Sequence, residues 1–329
     1  MAGRRFFQIS IRTLLILTTL VAVGMAYWSQ ILQRVREQKL ATARILQLGG
    51  KAIIRPTGRD WPGANMLVGD DFFQEVVDVD MYGTLVTDAD LELVGKLRGM
   101  KSLSLEGADG WSSKPSPHNP QQVGSQISGD GIRRLGIQRN MEIARLAQTP
   151  IADEALETIA SWSHLEILDI QRTKVTSRGV AQLGKLTRLS VLNLHQTKMD
   201  DEVVPTLCQM KSLRELGIVK TAISGEGLLR LREALPSCKI QGDLWDLTSG
   251  IDPNPDSMRW KEITRPMWAL SRSGDLKLLI LAGTALTDLH LSDLDRLENV
   301  DVIDIRRTKV TKTGVETLQR LLPKCRIVW

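Results

Sequence analysis

The chain has 329 residues, 42% hydrophobic, 25% charged and only 4% aromatic, with a net charge of +5. These values exclude disordered, collagen-like and low-complexity classes, and three cysteines exclude a disulfide scaffold. Basic residues are scattered rather than gathered into a patch or arm, which argues against a nucleic-acid partner. Abundant, regularly spaced leucine points to an aliphatic core built in layers.

A short basic tail, residues 1–12, carries Arg4, Arg5 and Arg12. Thr13 to Gln33 then contains no charge over 21 residues. As a helix that stretch covers about 31 Å, close to the hydrocarbon thickness of a bilayer. Its strongly apolar part is Leu14–Trp28, and Tyr27-Trp28 suits an interfacial aromatic belt. Flanking charges nearly tie, but a tail with three arginines is costly to translocate. The expectation is therefore a cytoplasmic amino terminus with the rest of the chain outside the cytoplasm. The alternative is a signal peptide, residues 1–26, because Gly24-Met25-Ala26 supplies small residues for cleavage.

Residues 34–72 read as a helical stalk and amino-terminal cap. Ile31 to Leu48 keeps helical spacing and stops at Gly49-Gly50, Lys51–Arg55 reads as a short strand, and Pro56–Gly63 is turn-rich. An open solenoid end needs such a cover.

From residue 73 to 329 the dominant signal is internal repetition. The frame Leu165-x-x-Leu168-x-Ile170-x-x-Thr173-x-Val175 recurs 24 residues on with Leu189, Leu192, Leu194, Thr197 and Met199, and again with Leu213, Leu216, Ile218, Thr221 and Ile223. One step earlier stand Met141, Ala144, Leu146, Thr149 and Ile151; the frame returns around Thr84, Thr284 and Thr308. Alternation at Leu168 and Ile170 gives a short strand, and Val180, Leu183 and Leu186 give one helical stripe. The residue before each helix is a good N-cap at Thr87, Ser128, Thr176, Asp200, Ser224, Thr287 and Thr311, but not at Ala152. The threonine column is expected to hydrogen-bond backbone groups in the turn leaving each strand.

The pattern resembles leucine-rich repeats, with threonine where that signature has Asn or Cys. The whole arrangement is similar to bacterial single-pass, membrane-anchored leucine-rich-repeat proteins of unassigned activity. The resemblance implies an α/β solenoid of about nine repeats, with a parallel concave sheet and convex helices, behind one amino-terminal transmembrane helix. It implies no defined chemistry.

Spacing between threonines reveals insertions near 109–126 and 243–262. Both are expected to leave a strand's carboxyl end on the same rim of one continuous arc, about 24 Å apart at 4.8 Å per strand. They carry Trp111 and His118 in one, and Trp245 and Trp260 in the other. Long loops on a rigid scaffold often bind partners, but they are also tolerated as surface insertions. Cys238 and Cys325 share the context Leu-Pro-x-Cys, a repeated structural position, and lie too many strands apart for a bridge.

No nucleophile elbow, phosphate loop, dinucleotide fingerprint or zinc motif is present, and the four histidines fall at unrelated repeat positions. The expectation is a non-enzyme with no cofactor or metal. Ile127-Ser-Gly-Asp-Gly and Ile223-Ser-Gly-Glu-Gly look like phosphate loops but occupy the strand-to-helix turn. What remains is surface. Tyr82, Arg145, Asp169, Gln171, Asn193, His195, Asp304 and Arg306 fall at concave positions among Ile143, Ile167 and Val191. Such a mixed strip suits a protein partner. Arg172, Lys174, Lys198, Lys220, Arg307 and Lys309 recur beside the threonines, a basic edge suited to an acidic protein or an anionic polysaccharide. The functional expectation is recognition at the membrane. The alternatives are a structural envelope component, or a secreted binding protein released by cleavage after Ala26.

Overall fold

The computed structural model describes residues 11–56, 74–107, 127–247, 258–297 and 299–329. Residues 1–10 of the basic tail, most of the turn-rich stretch after Pro56, and the whole insertion near 109–126 with Trp111 and His118 lie outside the described residues.

The first element, α1, runs unbroken from Ile11 to Gln47 over 37 residues. It is the one helix among the described residues long and apolar enough to cross a membrane, and none of its apolar window is buried in the protein. Thr18 and Thr19 return their hydroxyls to the carbonyls of Leu15 and Ile16 at 2.8–3.0 Å, so neither leaves a bare donor on the apolar surface. The same helix then enters the fold. Ala41 and Ile45 are buried, Gln38 Nε2 donates to the Gln74 carbonyl at 3.1 Å, and Arg44 Nε meets Asp90 Oδ1 at 2.7 Å. The apolar segment and the part that packs on the first repeat are thus one continuous helix. Gly49, at φ +83°, ends it in the left-handed region, and Gly50 N donates to the Ile45 carbonyl at 2.9 Å.

β1 (Lys51–Pro56) pairs antiparallel with β2 (Gln74–Asp80) and forms the edge of an eight-stranded sheet. The remaining strands are parallel: β3 (Ser102–Ser104), β4 (Ile143–Arg145), β5 (Ile167–Asp169), β6 (Val191–Asn193), β7 (Glu215–Gly217) and β8 (Lys239–Gln241). Short return helices lie on the convex side: α2 (Asp88–Val94), α3 (Gly129–Leu135), α4 (Asp153–Ile159), α5 (Ser177–Val180), α6 (Val204–Gln209) and α7 (Gly225–Ala234). Between them Leu103, Ala144, Leu168, Leu192 and Leu216 are all fully buried, one aliphatic layer per repeat.

Two backbone devices set the repeat. The residue before the threonine column adopts positive φ at Gln148, Arg172, Gln196, Lys220 and Arg307, and at Gly83 and Gly283. This left-handed turn costs an L-residue about 1 kcal/mol or more. The hydroxyls of Thr84, Thr149, Thr173, Thr197, Thr221 and Thr308 close it by donating to the carbonyl three residues back, at 2.5–2.9 Å. Thr284 is the exception, its buried Oγ1 having no hydrogen-bond partner among the described residues. The second device links neighbouring repeats. Asp88, Asp153, Asp201 and Asp288, each in the first helical turn, accept from both the backbone N–H and the hydroxyl of the next repeat's N-cap: Ser128, Thr176, Ser224 and Thr311. Three residues beyond each of those N-caps stands Gly131, Gly179, Gly227 or Gly314, where a Cβ would run into the same carboxylate.

The arc is not continuous. A second, four-stranded sheet contains β9 (Leu244–Asp246), β10 (Leu278–Ile280), β11 (Val302–Asp304) and β12 (Arg326–Val328). It is backed by α8 (Met258–Ser273) and α9 (Lys312–Leu321). The chain leaves β8 at Gly242 and begins β9 two residues later. Lys239 pairs back to Glu215 while Leu244 pairs forward to Leu278, so the ladder steps by five residues. The stretch expected as a loop over 243–262 therefore holds β9 and the start of α8; residues 248–257 of it, with the side chains of Trp245 and Trp260, lie outside the described residues. Beyond the step the sheet packs on α7. Strands β5 and β6 have half-exposed concave residues, but β10 and β11 are buried on both faces, and Leu278, Ile280 and Val302 join Leu229 of α7 in the first core. The second module lays its concave side on the last helix of the first.

Candidate functional site

The expected contact strip divides between the two modules. On the first sheet, register places Arg145, Asp169, Asn193 and Gly217 side by side on consecutive strands, with Ile143, Ile167 and Val191 in the row beneath. Parallel pairing at about 4.8 Å per strand makes this a compact ladder. Asp169 Oδ2 accepts from Asn193 Nδ2 at 3.2 Å and its Oδ1 accepts from the Gln171 N–H at 3.1 Å. Asn193 Oδ1 accepts from the His195 N–H at 3.1 Å. The Val219 N–H donates to His195 Nδ1 at 2.8 Å, so the neutral ring carries its proton on Nε2. Gly217 makes room for that ring, because a Cβ there would lie 2.7 Å from Nε2. Burial pushes the Asp169 carboxyl up, against the opposing pull of the Gln171 N–H, Asn193, His195 and Arg145.

The strip is thus a polar ladder held in one geometry above an apolar row. Tyr82, half exposed, follows β2 at the amino-terminal end and donates its N–H to Asp80 Oδ1 at 3.0 Å. It lies two strands from Arg145 and outside the ladder. Gly217 and Val219, which position His195, carried no signal of their own in the sequence.

Asp304 and Arg306 are a correction. Asp304 is only 2% exposed and is gripped by Arg306 through Nε at 2.9 Å and Nη2 at 2.6 Å. Arg306 Nη1 reaches Glu233 of α7 at 2.8 Å. These two residues bind the modules together and do not share a surface with Asp169. Around them lie the Arg232–Asp246 pair at 3.1 Å, Lys277 Nζ on the carbonyls of Thr221 and Ile223 at 2.7 and 2.9 Å, and the Gly225 N–H on Asp301 Oδ2 at 2.8 Å. A cleft of about 510 Å³ remains in this seam, between Leu229, Glu233, Ile280 and Arg307.

The basic edge beside the threonines is also less uniform than expected. Arg172, Lys174, Lys198 and Lys220 alternate with the carboxylates of Asp153, Asp200 and Asp201, so the edge has mixed sign. That weakens the polysaccharide reading. The three cysteines are free; burial pushes the Cys238 thiol up to about 11 and the Cys325 thiol up to about 12, which makes both poor nucleophiles. Among the described residues no group of three or more His, Cys, Asp or Glu is placed to hold a metal ion.

No family model matches the chain, and no curated protein matches it. Solved structures do. A leucine-rich-repeat protein of Leptospira interrogans is 18% identical with a TM-score of 0.31, covering 72% of this chain and 51% of that one. Internalin C2 of Listeria monocytogenes is 17% identical with a TM-score of 0.34, covering 74% and 77%. Pollen receptor kinase 3 is 10% identical with a TM-score of 0.34, covering 51% and 73%. At these values the likeness carries no functional argument. The chain has the leucine-rich-repeat fold, read from its own register, left-handed turns and leucine layers.

Proposed function

We propose that this chain is a non-catalytic recognition scaffold, anchored by α1 with its repeats outside the cytoplasm, which takes a protein partner on the concave strip of the first module. The observation that carries the reading is the contrast between the two concave faces. That of the second module is covered by α7, whereas on the first Arg145 is exposed and Asp169, Asn193 and His195 are half buried, mutually ordered and uncovered. Ordered polar groups beside an apolar row are what a protein interface uses, since little side-chain entropy is lost on contact. The anchored reading is supported by the apolar stretch of α1, which is long enough to span a bilayer and is buried nowhere in the protein.

Photocrosslinking in intact cells tests the reading. A photoreactive residue replacing Asn193 should give a discrete, saturable adduct, and one replacing Ala181 on the convex side should not. Equal labelling from both faces would favour a purely structural role. Protease shaving of intact and permeabilised spheroplasts, with mass analysis of the chain, tests the sidedness. Digestion only after permeabilisation would place the repeats in the cytoplasm.

A further inference from the structure

The continuous helix α1 fixes how the repeats stand over the membrane, and charge on the solenoid's edges follows that orientation. At 1.5 Å per residue, Gln38 lies about 7.5 Å beyond Gln33, the end of the uncharged stretch, and Ile45 about 18 Å beyond it. β2 begins beside Gln38, through the Gln74 carbonyl, and ends beside Ile45, where Gly50 touches both Ile45 and the Asp80 carbonyl. β2 therefore runs away from the apolar segment. All strands from β3 to β8 are parallel to it, and the Lys101 N–H on the Val77 carbonyl sets the start of β3 beside the middle of β2. The turns that precede the strands consequently form the edge nearest the bilayer, and the threonine turns form the far edge.

The near edge is cationic. Its turns and strand starts carry Arg98, Lys101, Arg139, Arg188, Lys211 and Arg214, all exposed, against the fewer carboxylates of Glu75, Glu142, Glu166 and Glu215. Lys101 is paired with Glu142 at 2.7 Å, while Arg98, Arg139, Arg188 and Arg214 have no ion pair among the described residues. Helix dipoles favour cations near helix carboxyl ends, but four of these residues lie in the last two positions before a strand or beyond the helix's final turn, where that effect has faded. Arg34 and Arg36 of α1 and Arg55 of β1 are exposed on the same side. The far edge has mixed sign, as described above. A headgroup layer extends about 5–8 Å beyond the hydrocarbon, and charge is felt over about 8 Å more at physiological salt.

We infer that this near edge lies on anionic phospholipid headgroups of the membrane that α1 enters, so that the solenoid runs along the bilayer and its concave strip faces sideways. The inference rests on the anchored reading above. It does not depend on which side of the membrane the repeats occupy.

The test uses the full chain in nanodiscs of phosphatidylcholine, with or without phosphatidylglycerol, containing a headgroup-attached quencher. A fluorophore is placed by non-natural residue at Thr187 on the near edge or at Ala222 on the far edge, both exposed. Quenching should be several-fold stronger at Thr187 than at Ala222 in phosphatidylglycerol discs, and the difference should vanish in phosphatidylcholine or at about 1 M salt. The combined change Arg188→Glu, Lys211→Glu and Arg214→Glu should abolish it as well. The lipid and salt series needs no variant, so a misfolded mutant does not blur the answer. Equal quenching at both edges, or quenching at Thr187 indifferent to lipid charge, overturns the inference while the chain remains in the disc. A chain that fails to stay with the disc overturns the anchored reading, and this inference with it.

Discussion

The Asp153 carboxylate spans two repeats: Oδ1 accepts the Thr176 N–H at 2.7 Å and Oδ2 accepts the Thr176 hydroxyl at 2.5 Å. Asp88, Asp201 and Asp288 repeat this contact to the N-cap of the following helix, so the convex layer is coupled by a carboxylate at each of four steps. In a solenoid, stability is the sum of repeat and interface contributions, and these contacts belong to the interface.

Asp153→Ala should therefore cost about 1–3 kcal/mol, because it strips the Thr176 donors of their acceptor in a half-buried position. Gly179→Ala should be comparable, since its Cβ would displace the same carboxylate from the other side. Urea unfolding of the full chain in detergent measures both. The double variant should cost less than the sum, as both act on one contact.

The repeat period, the strand and helix of each unit and the leucine layers were legible because each is written every 24 residues in side chains of one type. The carboxylate link was equally regular, at Asp88, Asp153, Asp201 and Asp288, but its meaning lay in reach across a repeat, which period alone does not disclose. The left-handed turn was hidden for another reason: Gln148, Arg172, Gln196 and Lys220 occupy a conformation that usually announces itself by glycine. The step between modules did leave a trace. Leu278-Leu279-Ile280-Leu281 lacks the alternation of Ile167-Leu168-Asp169-Ile170, and a strand without alternation is covered on both faces. Reading the second module by the template of the first placed Asp304 on an open strip that α7 in fact covers, with Arg306 half exposed at its margin.

Acid should loosen the junction between α1 and the first repeat. Burial would raise the Asp90 carboxyl, but hydrogen bonds from Arg44 and Thr87 outweigh it and hold the group below the ordinary carboxylate value. With the folded pKa below the unfolded one, the stabilisation is complete above the unfolded value and is lost as pH falls through the folded one. Hydrogen exchange across residues 38–47 should quicken in that window, after correction for intrinsic rates. Asp90→Asn should be already quick at neutral pH and should lose the dependence.

At the concave strip the sign is opposite. The Asp169 carboxyl is held above its ordinary value, chiefly by burial, so its ionised form costs stability once pH exceeds the folded pKa and costs none below the unfolded one. Asp169→Asn should raise the unfolding midpoint at neutral pH and leave it nearly unchanged in strong acid. If the strip is the recognition surface, the same variant should weaken partner crosslinking, a site held at the expense of stability.

Gly217→Ala separates recognition from folding more sharply. The new methyl would meet His195 Nε2 and Cε1 at 2.7 and 2.8 Å, so the ring must swing away and release the Val219 N–H. The cost to stability should stay near 1 kcal/mol, because the ring is the free end of a half-exposed side chain. Crosslinking from the Asn193 position should fall far more than that cost explains. An unchanged adduct would move the contact surface away from His195.

The seam between modules gives the complementary outcome. Arg306→Leu leaves Asp304 buried at 2% exposure without its bidentate partner and frees Glu233; because the Arg306 side chain is itself 41% exposed and its backbone N–H stays on Asp304, the cost should be about 1–3 kcal/mol. Adding Asp304→Leu to the same chain should restore most of that, since it removes the stranded charge and extends the apolar contact of Ile280 and Leu229 across the seam. Both variants should leave crosslinking from the first module's strip intact wherever the chain is folded, because the seam's charges hold α7 against β10 and β11 and touch nothing on β4 to β7. A specific loss of the adduct in the folded double variant would mean that the second module's concave side takes part in recognition after all.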